Sequence, residues 1–190
     1  MTGHSLAELD RKTIRDEMER AQQTFHQQLD HATAADLRRP SDGTRWTNEQ
    51  LLFHMLFGYL VVRALLVLAR IFGRTQGWAS TAFARVLDAA RTPFHLINYA
   101  GSCVGARIIP RSRMGSAFDR VIAALQRRLE RESDADLRRG MHYPTSWDPF
   151  FASYMTLYGL YRYPTQHFDY HLQQLTLPDE GCPAPSGRAQ

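Results

Sequence analysis

The chain has 190 residues, 44% of them apolar and 22% charged, with a net charge of +4. That length and composition fit one globular domain with a proper core and leave too little chain for two. The opening MTGHSLAELDRK has no apolar run behind a basic start, and Cys103 and Cys182 are the only cysteines. No secretory signal, disulfide framework or thiolate zinc cage is therefore expected, and a reduced cytoplasmic setting is.

Nearly every segment reads as helix. Ser5 and Glu8 offer a capping box, and Leu9, Ile14, Met18, Ala21, Phe25 and Leu29 then recur at helical spacing. PSDG breaks the chain at 40–43, and Thr47 with Gln50 offers a second capping box before the long apolar run of residues 48–72. After GRTQG comes a looser helical segment over about 79–105, interrupted by Pro93 and closed by GSCVGARIIPRSR. A clear helix follows over about 115–132, and MHYPTS breaks the chain again. Asp148 as N-cap with Pro149 at the first helical position predicts the start of a last helix, which Pro164 must kink or restart. Residues 178–190 read as a polar, disordered tail behind a domain spanning 1–177.

The run at 51–69 is apolar enough to raise a membrane span, but it contains His54 and Arg63. An arginine near the centre of a span costs about 2.5–3.5 kcal/mol on insertion scales, so a buried helix of a bundle is the better reading. Residues 63–139 hold 14 arginines against 6 acids. A basic belt of this kind attracts nucleic acid or acidic lipid. With 22 arginines and the single lysine Lys12, the bias reflects codon preference more than a selected surface, and nucleic acid is not the favoured partner.

AADLRRPSDGTRW at 34–46 and DADLRRGMHYPTSW at 134–147 share Ala-Asp-Leu-Arg-Arg. In both copies a helix precedes the match and a tryptophan, Trp46 or Trp147, follows it. The expectation is an all-α four-helix bundle built of two helix–loop–helix halves, joined by a long crossover at 73–113. Both tryptophans should then sit at the mouths of the helices that follow them.

Within YPTQHFDYHLQQL, His167 and His171 stand four apart, so both imidazoles leave one helix face. Such a pair can grip a metal ion or can line a seam between helices; a metal needs a third ligand. His54 lies two turns into the helix at 48–72, and three imidazoles with one open position are what a catalytic zinc or nickel-like site requires. Glu49 and Gln50, one turn earlier, are candidates to orient the His54 ring or are simply solvated residues of the helix start. His95, Asn98 and Tyr99 are candidates to line a pocket. Cys103, among small residues and without a basic partner, reads as packing.

WTNEQLLFHMLFGY together with YPTQHFDYHLQQL resembles the DinB/YfiT-like superfamily of bacterial four-helix-bundle proteins. The resemblance covers roughly residues 5–177, with a longer 73–113 stretch than the family leads one to expect. It implies a divalent metal, zinc or nickel, held by His54, His167 and His171. In some branches it implies a low-molecular-weight thiol as co-substrate and S-transferase chemistry. A hydrolase acting on a small molecule is the other enzymatic expectation; a metal-stabilised binding or dimerisation module, as a homodimer, is the non-catalytic one.

Overall fold

The computed structural model describes residues 6–75 and 77–178, with side chains from Asp10 onward. Helix α1 runs Leu6–His31 and buries Ile14, Met18, Ala21, Phe25 and Leu29, the stripe its spacing predicts. A short α2, Ala34–Arg38, leads to α3, Asn48–Phe72, whose Thr47 and Gln50 form the expected capping box. Two helices follow, α4 at Gly77–Ala89 and α5 at Arg91–Ile108. Then come α6 at Arg111–Leu129, the short α7 at Asp134–Leu137, and strands β1 at Gly140–His142 and β2 at Tyr154–Thr156. The last helix, α8, is Leu157–Leu172. The described chain is overwhelmingly helical, as expected.

The core lies where α3 packs along α8, α5 and α6, and α1 along α6 and α8. Phe25, Phe118 and Phe168 meet at its centre, the first two stacked at 4.4 Å, with Tyr59 edge-on to Phe118. Each such fully buried ring contributes roughly 1.5–3 kcal/mol. Among the described residues α3 alone has the length and apolarity to cross a membrane. However, 61% of its most apolar window is covered by the rest of the protein, as a core helix should be.

Three local expectations are corrected. The looser segment is two helices that break at Ala90, and Pro93 is no interruption: it occupies the first turn of α5, where its missing N–H costs nothing. Pro164 does not restart the helix, because α8 runs through it. Asp148 and Pro149 do not begin α8. They form a β-turn in which the Phe151 N–H donates to the Asp148 carbonyl at 3.1 Å and the Phe150 N–H to Asp148 Oδ1 at 2.9 Å. Asp-Pro suits the first two positions of such a turn as well as it suits a helix start. The helix begins instead at Thr156, whose hydroxyl accepts from the Gly159 N–H.

The repeat is present in the backbone. Thr33 and Ser133 cap α2 and α7, and Leu37 and Leu137 are both buried. The chain then makes the same antiparallel contact in each half: Pro40 pairs with Thr47 and Gly140 with Thr156. The Asn48 N–H reaches the Arg39 carbonyl at 2.9 Å, and the Leu157 N–H reaches that of Arg139 at 2.7 Å. Thr47 and Thr156 are thus equivalent caps of α3 and α8. The tryptophans are not equivalent, because the second loop is longer: Trp46 adjoins the cap of α3, whereas Trp147 sits in the loop and stacks on Phe94 at 3.8 Å.

Candidate metal centre

α3 and α8 bring His54, His167 and His171 together, all three buried, with one ring nitrogen from each lying within 4.8 Å of the others. His167 Nε2 and His171 Nε2 are 3.2 Å apart. Two imidazole lone pairs at that separation repel unless a proton or a cation lies between them. Tetrahedral ligation with Zn–N bonds of about 2.0–2.1 Å sets neighbouring nitrogens about 3.3 Å apart, so the spacing suits a metal ion.

The surrounding hydrogen bonds fix which nitrogens face the centre. Ser102 on α5 gives its hydroxyl proton to the Asn98 carbonyl at 2.9 Å. Its lone pair therefore faces His54 Nδ1, 3.1 Å away, which must carry the ring proton. Gln174 Oε1 accepts from His171 Nδ1 at 2.6 Å. Both rings are left with a bare Nε2, the ligating form. Two close approaches allow this. A Cβ on Gly105 would stand 2.1 Å from the Phe53 ring, so only glycine lets α5 lie close enough to α3 for Ser102 to reach His54. A Cβ on Gly58 would stand 3.0 Å from His167 Nδ1, a buried atom with no hydrogen-bond partner.

The site holds its histidines neutral. Burial, helped by the neighbouring His171, lowers His54 to about 3. Burial and the other two rings push His167 well below the ordinary value, and burial lowers His171 against the opposing Gln174 bond. Neutral imidazoles bind a cation without first surrendering a proton.

Asp148, placed by the β-turn, brings its Oδ2 to 3.6 Å from His167 Nε2, while the Tyr163 hydroxyl donates to the same oxygen at 3.0 Å. Burial raises the Asp148 pKa, and the Phe150 N–H and the Tyr163 hydroxyl oppose that shift. A pocket of about 40 Å³ lies against His54, His167, Asp148 and Asn98. That is room enough for water. On the other side a cavity of about 590 Å³ opens beside His171, walled by Trp46, Tyr99 and Tyr170. Trp46 stacks on His54 at 4.3 Å, and the Arg45 guanidinium lies over Tyr99 at 4.6 Å.

The profile of the DinB superfamily matches residues 17–175. The chain belongs to the DinB superfamily. No curated protein and no solved structure matches it.

The other candidates, the remaining histidines and Asp169 divide. His95, Asn98 and Tyr99 line the large cavity. Glu49 and Gln50 do not orient His54; Gln50 closes the cap on the Thr47 N–H, and Ser102 takes that orienting role. Asp169 faces away from the site and pairs with Arg20 at 2.8 Å. His26 pairs with Asp119, and His142 Nδ1 lies 3.0 Å from Ser80 Oγ. Cys103 is half-buried; Cys182 and His4 lie outside the described residues. Ser102, Gln174 and Asp148 are the residues that sequence reasoning missed. Gly101 and Gly105 flanking the Ser102 region were the available signal for a close helix approach, and Gln174 stands one helical turn after His171.

Proposed function

We propose that this DinB protein is a divalent-metal-dependent enzyme, a thiol S-transferase or hydrolase acting on a small molecule, with His54, His167 and His171 as ligands of zinc or nickel. We further propose that α1, α3, α6 and α8 constitute a four-helix bundle, with α4 and α5 as its crossover. One observation supports the metal reading above the rest: three buried neutral imidazoles converge, and hydrogen bonds to Nδ1 leave the Nε2 atoms of His54 and His171 bare. A metal ion held there supplies Lewis acidity to a water or thiol.

The chain's own groups supply the rest. Asp148 Oδ2 is placed to accept a proton in the small pocket, and Tyr163 holds that carboxylate in position. Trp46 fixes the His54 ring by stacking and forms one wall of the large cavity, through which a small substrate reaches His171.

A second reading has its own support. Asp148 is near enough to serve as a fourth ligand, and a site closed in that way is structural, the mark of a binding or dimerisation module. Cobalt-substituted protein, purified without an affinity tag, separates the two. Titration with a low-molecular-weight thiol shifts the visible d–d bands if a coordination position is open, and more strongly as pH rises, because the thiolate is the ligand. His171→Ala removes the response and Cys103→Ser keeps it. Spectra unchanged by thiol, azide and cyanide alike would refute the enzyme. Full metal content retained by two of the three His→Ala variants would refute the site itself.

A further inference from the structure

The outer faces of α4 and α5 carry a surface that the metal centre does not use. On α4, Trp78, Ala82, Val86 and Ala89 recur at helical spacing, with Arg85 among them, and all are exposed. On α5, Pro93, Ile97, Ala100, Val104 and Ile108 do the same, with Leu96 and Arg107 alongside. Trp78, Val86, Leu96, Ile97 and Ile108 are each 65–71% exposed. The opposite faces of these helices are spent on the protein: Ser80, Ala84, Ser102 and Ala106 are buried. Phe83 and Phe94 also turn inward, stacking on Phe72 and Trp147, so the apolar residues of the outer stripes are additional to those the fold uses.

The charge around these stripes is predominantly positive. Residues 63–113 contain 8 arginines and a single acid, Asp88. Arg85, Arg91 and Arg107 are exposed and form no ion pair among the described residues. Bulky apolar side chains between unpaired arginines match an interface at which headgroups are negative and acyl chains lie just beneath. A nucleic acid offers phosphates but nothing to cover Leu96, Ile97 and Ile108. A second copy docking the same face by two-fold symmetry would bring two net-positive patches together.

We propose that the outer face of α4 and α5 docks on the surface of an anionic lipid bilayer, with Trp78, Ile97, Val104 and Ile108 entering the headgroup region and Arg85, Arg91 and Arg107 meeting lipid phosphates. α5 then joins two functions, because its inner face carries Ser102 and Asn98 of the metal centre while its outer face meets lipid. The proposal stands without the metal reading and can be tested apart from it.

The test uses the full chain with phosphatidylcholine vesicles containing about one-third phosphatidylglycerol. Co-sedimentation is expected with these vesicles, to be absent with pure phosphatidylcholine, and to be lost as salt rises to about 0.5 M. Tryptophan emission should shift to the blue on binding, and Trp78→Phe should abolish the shift while Trp46 and Trp147 remain. Ile97→Asp/Val104→Asp and Arg85→Glu/Arg107→Glu should each weaken partitioning about 10-fold or more. Their helical circular dichroism and metal content should match the parent, which separates a lost surface from a lost fold. Three results would overturn the proposal. One is no vesicle binding by the parent chain. Another is binding indifferent to both double variants. The third is a concentration-dependent dimer, or a complex with RNA or DNA, that depends on these residues when vesicle binding does not.

Discussion

Ser102→Ala tests the hydrogen bond that leaves His54 Nε2 bare for the proposed metal. Ser102 is fully buried, its proton is committed to the Asn98 carbonyl, and its lone pair is the partner of His54 Nδ1. Alanine deletes one oxygen and leaves the Nδ1–H of a buried ring with no acceptor. An orphaned buried donor costs about 1–3 kcal/mol, which corresponds to roughly 5- to 150-fold in a dissociation constant. Loss of the hydrogen-bond partner of a metal-ligating histidine typically weakens affinity about 10- to 100-fold, and the two ranges agree. Metal-stripped protein should therefore bind zinc about 10- to 100-fold more weakly after Ser102→Ala. One ion per chain should still bind at saturation, because all three proposed ligands remain. Competition against a chromophoric chelator measures the affinity, and elemental analysis of the saturated protein measures the stoichiometry. A dissociation constant within about twofold of the parent would refute the argument that Ser102 sets the His54 tautomer.

Gly58→Ala places a methyl 3.0 Å from His167 Nδ1, so the ring must shift by a few tenths of an ångström; metal affinity should fall while the helical signal stays. Glu132 is buried and receives Arg70 and the Tyr161 hydroxyl, with Arg128 Nε at 3.9 Å. Glu132→Ala leaves two arginines unneutralised and should cost about 3–5 kcal/mol in urea unfolding, with a loss below 1 kcal/mol counting against it. In metal-free protein His54 is held at about 3 against an ordinary 6.5. The unfolded chain therefore takes up a proton that the folded one refuses, and stability falls as pH drops from about 6.5 towards 3. His54 alone contributes a slope that approaches about 1.4 kcal/mol per pH unit only below about pH 5.5, read from urea midpoints between about pH 7.5 and 4.5, and His54→Ala should reduce the dependence while His167 and His171, also lowered by burial, keep the rest.

What the sequence determined by itself is local. The stripe Ile14–Met18–Ala21–Phe25–Leu29, the Thr47–Gln50 capping box and the shared face of His167 and His171 all depend on spacing within one helix, which the chain states directly. Combined with the family resemblance, these were enough to read helical architecture and three candidate ligands. Signals shared by two structures were misread. Asp148-Pro149 suits a helix start and a β-turn alike, and the longer second loop resolved the choice by pairing β1 with β2 and deferring the cap to Thr156. Trp147 kept its place in the sequence repeat but lost its structural equivalence to Trp46 for the same reason. Only the tertiary structure decided what surrounds the histidines. Ser102 lies 48 residues from His54 and reaches it because Gly105 lets α5 close on α3. Asp148 becomes a neighbour of His167 because a turn, and not a helix, carries it there. Contacts of that separation arise from how elements pack against one another, and no spacing rule within a single element encodes them.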